Sequence, residues 1–489
     1  MGITQAVAVP VISRIDAVVG DTIEAAVRTR HRRRLQRLGW ERALQPPDDG
    51  IWAAGDPPPR EGCSLEVLID GAQALPQIAE ALKGARRFVH VTGWHLAPHF
   101  ELERGEPPVV LGALLAELAE RIDVRVLVWA GAPLPAFHPT RKEVGKAIQT
   151  LTRDTQIRCE PDPREHPAHC HHEKTISIDG ELAFVGGIDL TDQAGDRFDS
   201  SSHSARRRLG WHDATTRLRG PAVKDVHDHF ATRWFAVTGE RLDRPDPPPA
   251  AGDSTVHVVR TVAEDMYDEV PRGDFRILES YLRALRSARR LIYLENQFLW
   301  APEVVSVLAD KLRHSPDDDF RLVVLLPSKA NNGQDDTRGQ LGVLVEADDG
   351  ADRFLAATIR SLSGRRDDRL YVHAKVGIVD DRWLTVGSAN LNAHSLLNDT
   401  EMNVVTDDAR LARDTRVRLW AEHLELDEAH VGSREPTELV DDVWRPIAAE
   451  QLERRDAGQA PTHRLCALPG VSRRASRLLG PLEGLTDDA

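Results

Sequence analysis

Cysteine is scarce in this chain, with four in 489 residues, at positions 63, 159, 170 and 466. They form no C-x-x-C pair and no disulfide framework, which excludes a small disulfide-stapled scaffold. Reduced thiols and a cytoplasmic setting are the expectation. Long apolar runs are also missing. None approaches the ~18 residues of a membrane span, so none is expected to cross a bilayer. The opening MGITQAVAVPVISRID lacks the basic stretch and clean apolar core of a signal peptide. Ala6 stands where a myristoylation motif needs Ser or Thr. Positive charge is in deficit, with 63 Lys plus Arg against 77 Asp plus Glu and a formal net charge of −14. Such a chain is repelled by phosphate backbones at long range, which argues against non-specific nucleic-acid binding. A hydrophobic content of 41% nevertheless marks a folded protein with a sizeable core.

What is present begins with a helix read over residues 13–38, ending in a basic run from Arg28 to Arg37. That run suits a solvated helix C-terminus or peripheral contact with anionic lipid heads. Two Pro-rich stretches, GDPPPREG at 55–62 and RPDPPPAAGD at 244–253, punctuate the rest. They set the expected divisions: a helical region 1–60, one lobe at 61–245, a second at 254–440 and an extension at 441–489. The two lobes repeat one another. ALKGARRFVHVTGWHL (81–96) lies beside ALRSARRLIYLENQFL (284–299), and HEKTISIDGELAFVGGIDL (172–190) beside HAKVGIVDDRWLTVGSANL (373–391). His373, Asp380 and Gly387 follow His172, Asp179 and Gly186 by the same 201 residues. Helices alternating with short apolar strands make each copy an α/β unit. The fold class expected is therefore α/β, two pseudo-symmetric lobes about a two-fold axis.

The repeated motif carries chemistry. Residues two apart in a strand face one side, so His172 points with Lys174, and His373 with Lys375. An imidazole beside a fixed ammonium suits an anionic substrate, the lysine holding a phosphoryl oxygen while the histidine reacts. Asp179-Gly180 is a hairpin signal, so the Asp of each motif falls at a strand end, where a structural role is expected. The return strands close on Gly186-Gly187 and Gly387-Ser388, small residues expected to let substrate approach the backbone.

Taken together, these residues resemble the phospholipase D superfamily over roughly residues 61–440, with paired H-x-K-x-x-x-x-D motifs each followed by G-G or G-S and then Asp or Asn. The resemblance implies a catalytic set of His172, Lys174, Asp179, His373, Lys375 and Asp380. It places Gly187, Asp189, Ser388 and Asn390 at the phosphate. HHEK, GGIDLTDQAGDRFD, WHDATTRLRGPAVKD and IYLENQFL resemble phospholipases D themselves; the second motif is similar also to bacterial cardiolipin synthases. There the family pattern has Arg before Ser395, and this chain has His394. The family's fold would give each lobe a mixed sheet covered by helices, with the active site at the junction. An acidic side chain is expected to orient each histidine. Asp199, 27 residues after His172, and Glu401, 28 after His373, match that distance. Glu295, Asn296 and Gln297, three polar residues in a buried strand, are expected to wall the pocket.

The implied activity is cleavage or exchange of a glycerophospholipid head group through a phosphohistidine, with His172 as nucleophile and His373 as general acid. The partner is a phospholipid; nucleic acid is disfavoured. The alternatives are a cardiolipin-synthase-type phosphatidyltransferase, a nuclease of the same superfamily and an inactive scaffold, against which both motifs are complete. No cofactor is expected. The run His166, His169, His171, His172 has the wrong spacing for a standard zinc site and no second ligand cluster in the sequence, so no metal is expected either.

Overall fold

The computed structural model describes residues 3–46, 50–133, 138–165, 169–193, 195–197, 210–328, 334–360, 362 and 370–468. At its centre two long strands, Arg60–Ile69 and Ser254–Val262, run antiparallel to one another. Outward from the first come Ala214–Arg219, Leu182–Gly186, Thr175–Ile178, Phe88–Gly93, Asp123–Trp129 and Arg158–Asp162. Outward from the second come Glu401–Thr406, Trp383–Gly387, Val376–Val379, Leu291–Glu295, Arg321–Leu325 and Phe354–Ile359, the same order in mirror sequence. The two mixed sheets are thus one continuous sheet, joined edge to edge, which leaves neither lobe with an open central edge. Each half has two parallel pairs, the inner ones being Phe88–Gly93 with Asp123–Trp129 and Leu291–Glu295 with Arg321–Leu325. Parallel neighbours need a crossover, and helices Leu111–Ala119 and Pro302–Arg313 supply it.

Amphipathic helices cover the sheet. Asp70–Lys83 buries Ala74, Leu75, Ile78, Ala79 and Leu82 against the first half. Arg276–Ser287 buries Ile277, Leu278, Tyr281 and Leu285 against the second. Both place apolar residues at helical spacing.

Three departures from the sequence reading stand out. The N-terminal helix runs from Ile3 to Leu38, longer than expected. It docks on the second lobe: His31 Nδ1 meets Glu303 at 2.8 Å, Arg34 Nε donates to Glu264 at 3.0 Å, and Leu35 is fully buried. The basic run is therefore divided, with Arg34 turned inward and Arg30, Arg32, Arg33 and Arg37 exposed. Within the C-terminal extension, Leu465–Ala467 adds antiparallel to Phe354–Ile359; residues beyond Leu468 lie outside those described.

The lobes also exchange backbone at their junction. Gly210–His212 pairs in parallel with Leu370–Val372. The N–H groups of His172 and Glu173 donate to the Thr400 carbonyl at 2.9 and 3.0 Å, and those of His373 and Ala374 to the His212 carbonyl at 2.8 and 3.0 Å. Each motif therefore enters the site strapped to the opposite lobe.

Candidate active site

Each motif lysine folds back over its own histidine. Lys174 Nζ donates to the His172 carbonyl at 2.6 Å, and Lys375 Nζ to that of His373 at 2.5 Å. The motif aspartates sit at the far ends of these strands. Asp179 and Gly180 both take positive φ, 56° and 70°, as a type I′ turn requires. The Asp179 carboxylate accepts the N–H groups of Arg86, Arg87 and Phe88 at 2.9, 2.7 and 2.9 Å. Asp380 (φ 52°) does the same for Arg289, Arg290 and Leu291 at 2.7, 2.8 and 2.7 Å. Within the motif-based catalytic set, Asp179 and Asp380 thus clamp the start of the neighbouring strand, the structural role expected of a residue at the strand end. Asp179→Ala is expected to lower stability by about 2–3 kcal/mol, through lost charge-assisted bonds and a left-handed alanine. Paired denaturation and turnover measurements should show a lower midpoint with activity per folded molecule largely kept.

The orienting carboxylates cross between lobes. His172 Nδ1 lies 2.9 Å from Glu401 Oε1, and His373 Nδ1 lies 2.6 Å from Asp213 Oδ2. Glu401 is in turn held by the Ser388 hydroxyl. Asp213 Oδ1 accepts the Ala214 N–H at 2.8 Å. The sequence reading missed Asp213; Asp199, taken for that role, lies outside the described residues. Register explains the miss. Gly186 pairs with Thr215 and Gly387 with Asn403, and the carboxylate sits two residues before each partner. The first-half stretch from histidine to carboxylate is 41 residues (172 to 213) and the second 28 (373 to 401), so equal spacing does not lead to Asp213.

Two of the small residues after the motifs, Gly187 and Ser388, lie against these carboxylates, while Gly186 and Gly387 lie against Thr215 and Asn403. A Cβ on Gly187 would lie 2.2 Å from Asp213 Oδ1. At the matching place Ser388 has room because its hydroxyl bonds Glu401.

The two lysines differ. Lys174 Nζ pairs with Asp189 Oδ2 at 2.9 Å. Lys375, among the described residues, has no carboxylate in ion-pair reach; besides the His373 carbonyl it meets Gln297 Oε1 at 3.4 Å, which also takes Asn390 Nδ2 at 3.4 Å. Burial, with Lys174 nearby, pulls the Lys375 ammonium down to about 7. His373 is held well below its ordinary value, first by burial, then by the charges of Lys375, Arg197, Lys174 and His172. The fully buried Asp213 is pushed up by the same loss of water. The crossed contacts of His172 with Glu401 and of His373 with Asp213 bring both motifs to the lobe junction. The Asn390 carbonyl oxygen is buried with no hydrogen-bond partner among the described residues.

Of the three polar residues in the buried strand, the pocket-wall expectation applies to Gln297 alone. Glu295 turns behind the site, taking His212 Nε2 at 2.9 Å and His423 Nε2 at 2.8 Å. Burial opposes charge on His212, yet Asp70 and Glu295 on its two nitrogens hold it well above its ordinary value. Glu295 thus positions the segment that anchors His373. Asn296 ties strand to loop, its Oδ1 accepting the N–H groups of Phe298 and Leu391 at 3.1 and 3.0 Å. Two further side chains escaped the sequence reading. Trp211 packs against His373 with ring centres 4.3 Å apart and planes tilted by 44°, and Arg197 lies over Trp211 at 3.2 Å.

Comparison with known proteins agrees with this geometry. Residues 81–265 match the family model described as "Phospholipase D", and residues 281–421 the one described as "Cardiolipin synthase, PLD-like domain". Phospholipase D A of Dictyostelium discoideum is 25% identical over 76% of this chain and 36% of its own. Phospholipase D alpha 4 of Arabidopsis thaliana is 25% identical over 73% of this chain and 64% of its own. The chain thus spans about a third to two thirds of these relatives' length. The phosphatidylserine synthase structure from Haemophilus influenzae Rd KW20 superposes with a TM-score of 0.50 at 14% identity, over 80% of this chain and 94% of that one, a likeness of fold. The chain belongs to the phospholipase D superfamily, its second half being cardiolipin-synthase-like.

Proposed function

We propose that this chain is a phospholipase D-type phosphodiesterase that cleaves or exchanges the head group of a glycerophospholipid. The observation that supports the reading best is the crossed pair of dyads, His172–Glu401 and His373–Asp213, at a centre holding two lysines. A carboxylate on Nδ1 leaves Nε2 of each imidazole to react. His172 Nε2 attacks phosphorus and the P–O bond to the head-group alcohol breaks. His373 gives that alcohol its proton. His373 then takes a proton from the incoming hydroxyl, which attacks the phosphohistidine and releases His172. Lys174, Lys375 and Asn390 hold the phosphoryl oxygens as charge builds.

Exchange with an added alcohol tests the covalent step. With phosphatidylcholine and a few per cent of a primary alcohol, a phosphatidyl-alcohol is expected beside phosphatidic acid. Hydrolysis product alone at every alcohol concentration would sink the mechanism. The second-half family match favours one alternative, a cardiolipin-synthase-type transferase, which should prefer phosphatidylglycerol as donor and acceptor. Cutting of single-stranded DNA with lipids untouched would install the nuclease reading, against which the net charge of −14 speaks.

Among the described residues no helix is long and apolar enough to cross a membrane. The outward Arg30, Arg32, Arg33 and Arg37 support peripheral contact with anionic lipid. The four cysteines are buried thiols, which supports a cytoplasmic setting.

A further inference from the structure

The His-rich run before the first motif does not act as a unit. His171 is fully buried, with Nδ1 2.8 Å from Thr400 Oγ1 and Nε2 3.2 Å from Asp162. His166 lies outside the described residues. His169 turns instead toward the second lobe. Its Nδ1 faces His394 Nδ1 at 3.0 Å and Asp399 Oδ1 at 3.4 Å, and the three donor atoms lie within 4.8 Å of one another. His394 is the residue that stands where the family pattern has Arg. His394 and Asp399 are almost wholly buried, while 16% of the His169 side chain is exposed.

We propose that His169, His394 and Asp399 form a zinc site that rivets the two lobes together beside the active site. Zinc binds imidazole and carboxylate at about 2.0–2.2 Å in tetrahedral geometry, which puts neighbouring ligand atoms roughly 3.3 Å apart. The separations of 3.0 and 3.4 Å bracket that value. Two imidazoles and one carboxylate are a borderline donor set that favours zinc over magnesium or calcium. With no ion, two facing Nδ1 atoms must share one proton, and the 3.4 Å approach of Asp399 is a poor hydrogen bond. With an ion, all three atoms serve one centre. Asp399 Oδ1 also accepts the Cys170 N–H at 3.0 Å, an outer contact of the kind that fixes a ligand's orientation. Water fills the fourth position from the exposed His169 side.

The site's place in the chain gives it a consequence. His169 lies three residues before His172, and Asp399 two before Glu401. Zinc there would tie together the two segments that form the His172–Glu401 dyad. The ligands come from residues far apart in sequence, so no local spacing announces them.

Tag-free full-length chain, stripped with chelator and given zinc, should retain about one zinc per chain after gel filtration, read by elemental mass spectrometry. Its Tm should rise by on the order of 5 °C at a hundredfold excess over Kd, whereas magnesium and calcium leave it unchanged. His169→Ala, at the exposed ligand, should keep the fold and the Tm of the stripped chain and take up no zinc. His394→Gln should behave likewise. Wild-type chain that holds no zinc and shows no Tm shift would overturn the site, leaving a histidine–histidine hydrogen bond. So would undiminished zinc uptake by His169→Ala. Both readouts are independent of turnover, so they stand or fall apart from the phospholipase reading.

Discussion

His172→Ala should lose at least about 10⁴-fold in kcat and form no phosphoenzyme. His373→Ala should lose as much on a phospholipid, yet still form the adduct from a diester with a good leaving group, because such a group departs without a proton. Acid-quenched, phosphate-labelled protein read by mass spectrometry separates the two. An adduct on His373 would reverse the assignment of roles, which rests on family resemblance.

Electrostatics adds a second readout for the same histidines. In the free site burial and neighbouring cations keep His373 neutral, whereas a general acid must carry its proton. A bound phosphate diester supplies the missing negative charge and raises the affinity of both His373 and Lys375 for protons. Lys375 titrates at about 7 in the free site. Above that pH it is largely neutral and must take up a proton as the anion binds; below it, Lys375 is already charged and only His373 does so. Anion affinity should therefore weaken as pH rises through 7. Binding of a phosphate analogue should take up about one proton below pH 7 and closer to two at slightly alkaline pH, measured by calorimetry in buffers of different ionisation enthalpy. Proton release on binding would contradict the picture.

Asp213→Asn should cost about 10²–10⁴-fold in overall turnover, as expected when the carboxylate behind a catalytic histidine becomes an amide. The geometry says why. Asp213 Oδ1 is committed to the Ala214 N–H at 2.8 Å, so the amide oxygen stays there and the amide NH₂ faces His373. The Nδ1 that now donates at 2.6 Å must then accept, and the proton moves to Nε2. An imidazole in that tautomer cannot take a proton from water or alcohol. With a good leaving group the first step survives, so the phosphoenzyme should accumulate after a burst. Glu401→Gln should instead slow formation of the adduct. An Asp213→Asn chain with ordinary turnover would remove Asp213 from the mechanism.

Much was legible beforehand because it is local. The 201-residue repeat, the strand alternation that pairs His with Lys, and the Asp179-Gly180 turn all depend on neighbours a few residues apart. Backbone sterics and side-chain period decide such features without reference to the rest of the chain. The strand-end place of Asp179 and Asp380 was readable for that reason, although the motif alone grouped them with the catalytic residues.

Contacts across long separations were not legible. Asp213 acquires its place from strand register, which a 13-residue longer first-half stretch (41 against 28) hides from any count along the chain. The purpose of Gly187 followed the same path: its smallness was visible, but not that the space belongs to Asp213. Glu295, Asn296 and Gln297 are adjacent in sequence yet face three different surroundings, since successive residues at a strand end diverge. The lone His394 had no meaning until folding set it against His169 and Asp399. Chain connectivity determined the motifs and the two-lobe plan. Only packing of one lobe against the other decided which carboxylate serves which histidine, because a hydrogen bond across a junction depends on distance in space and carries no signature along the chain.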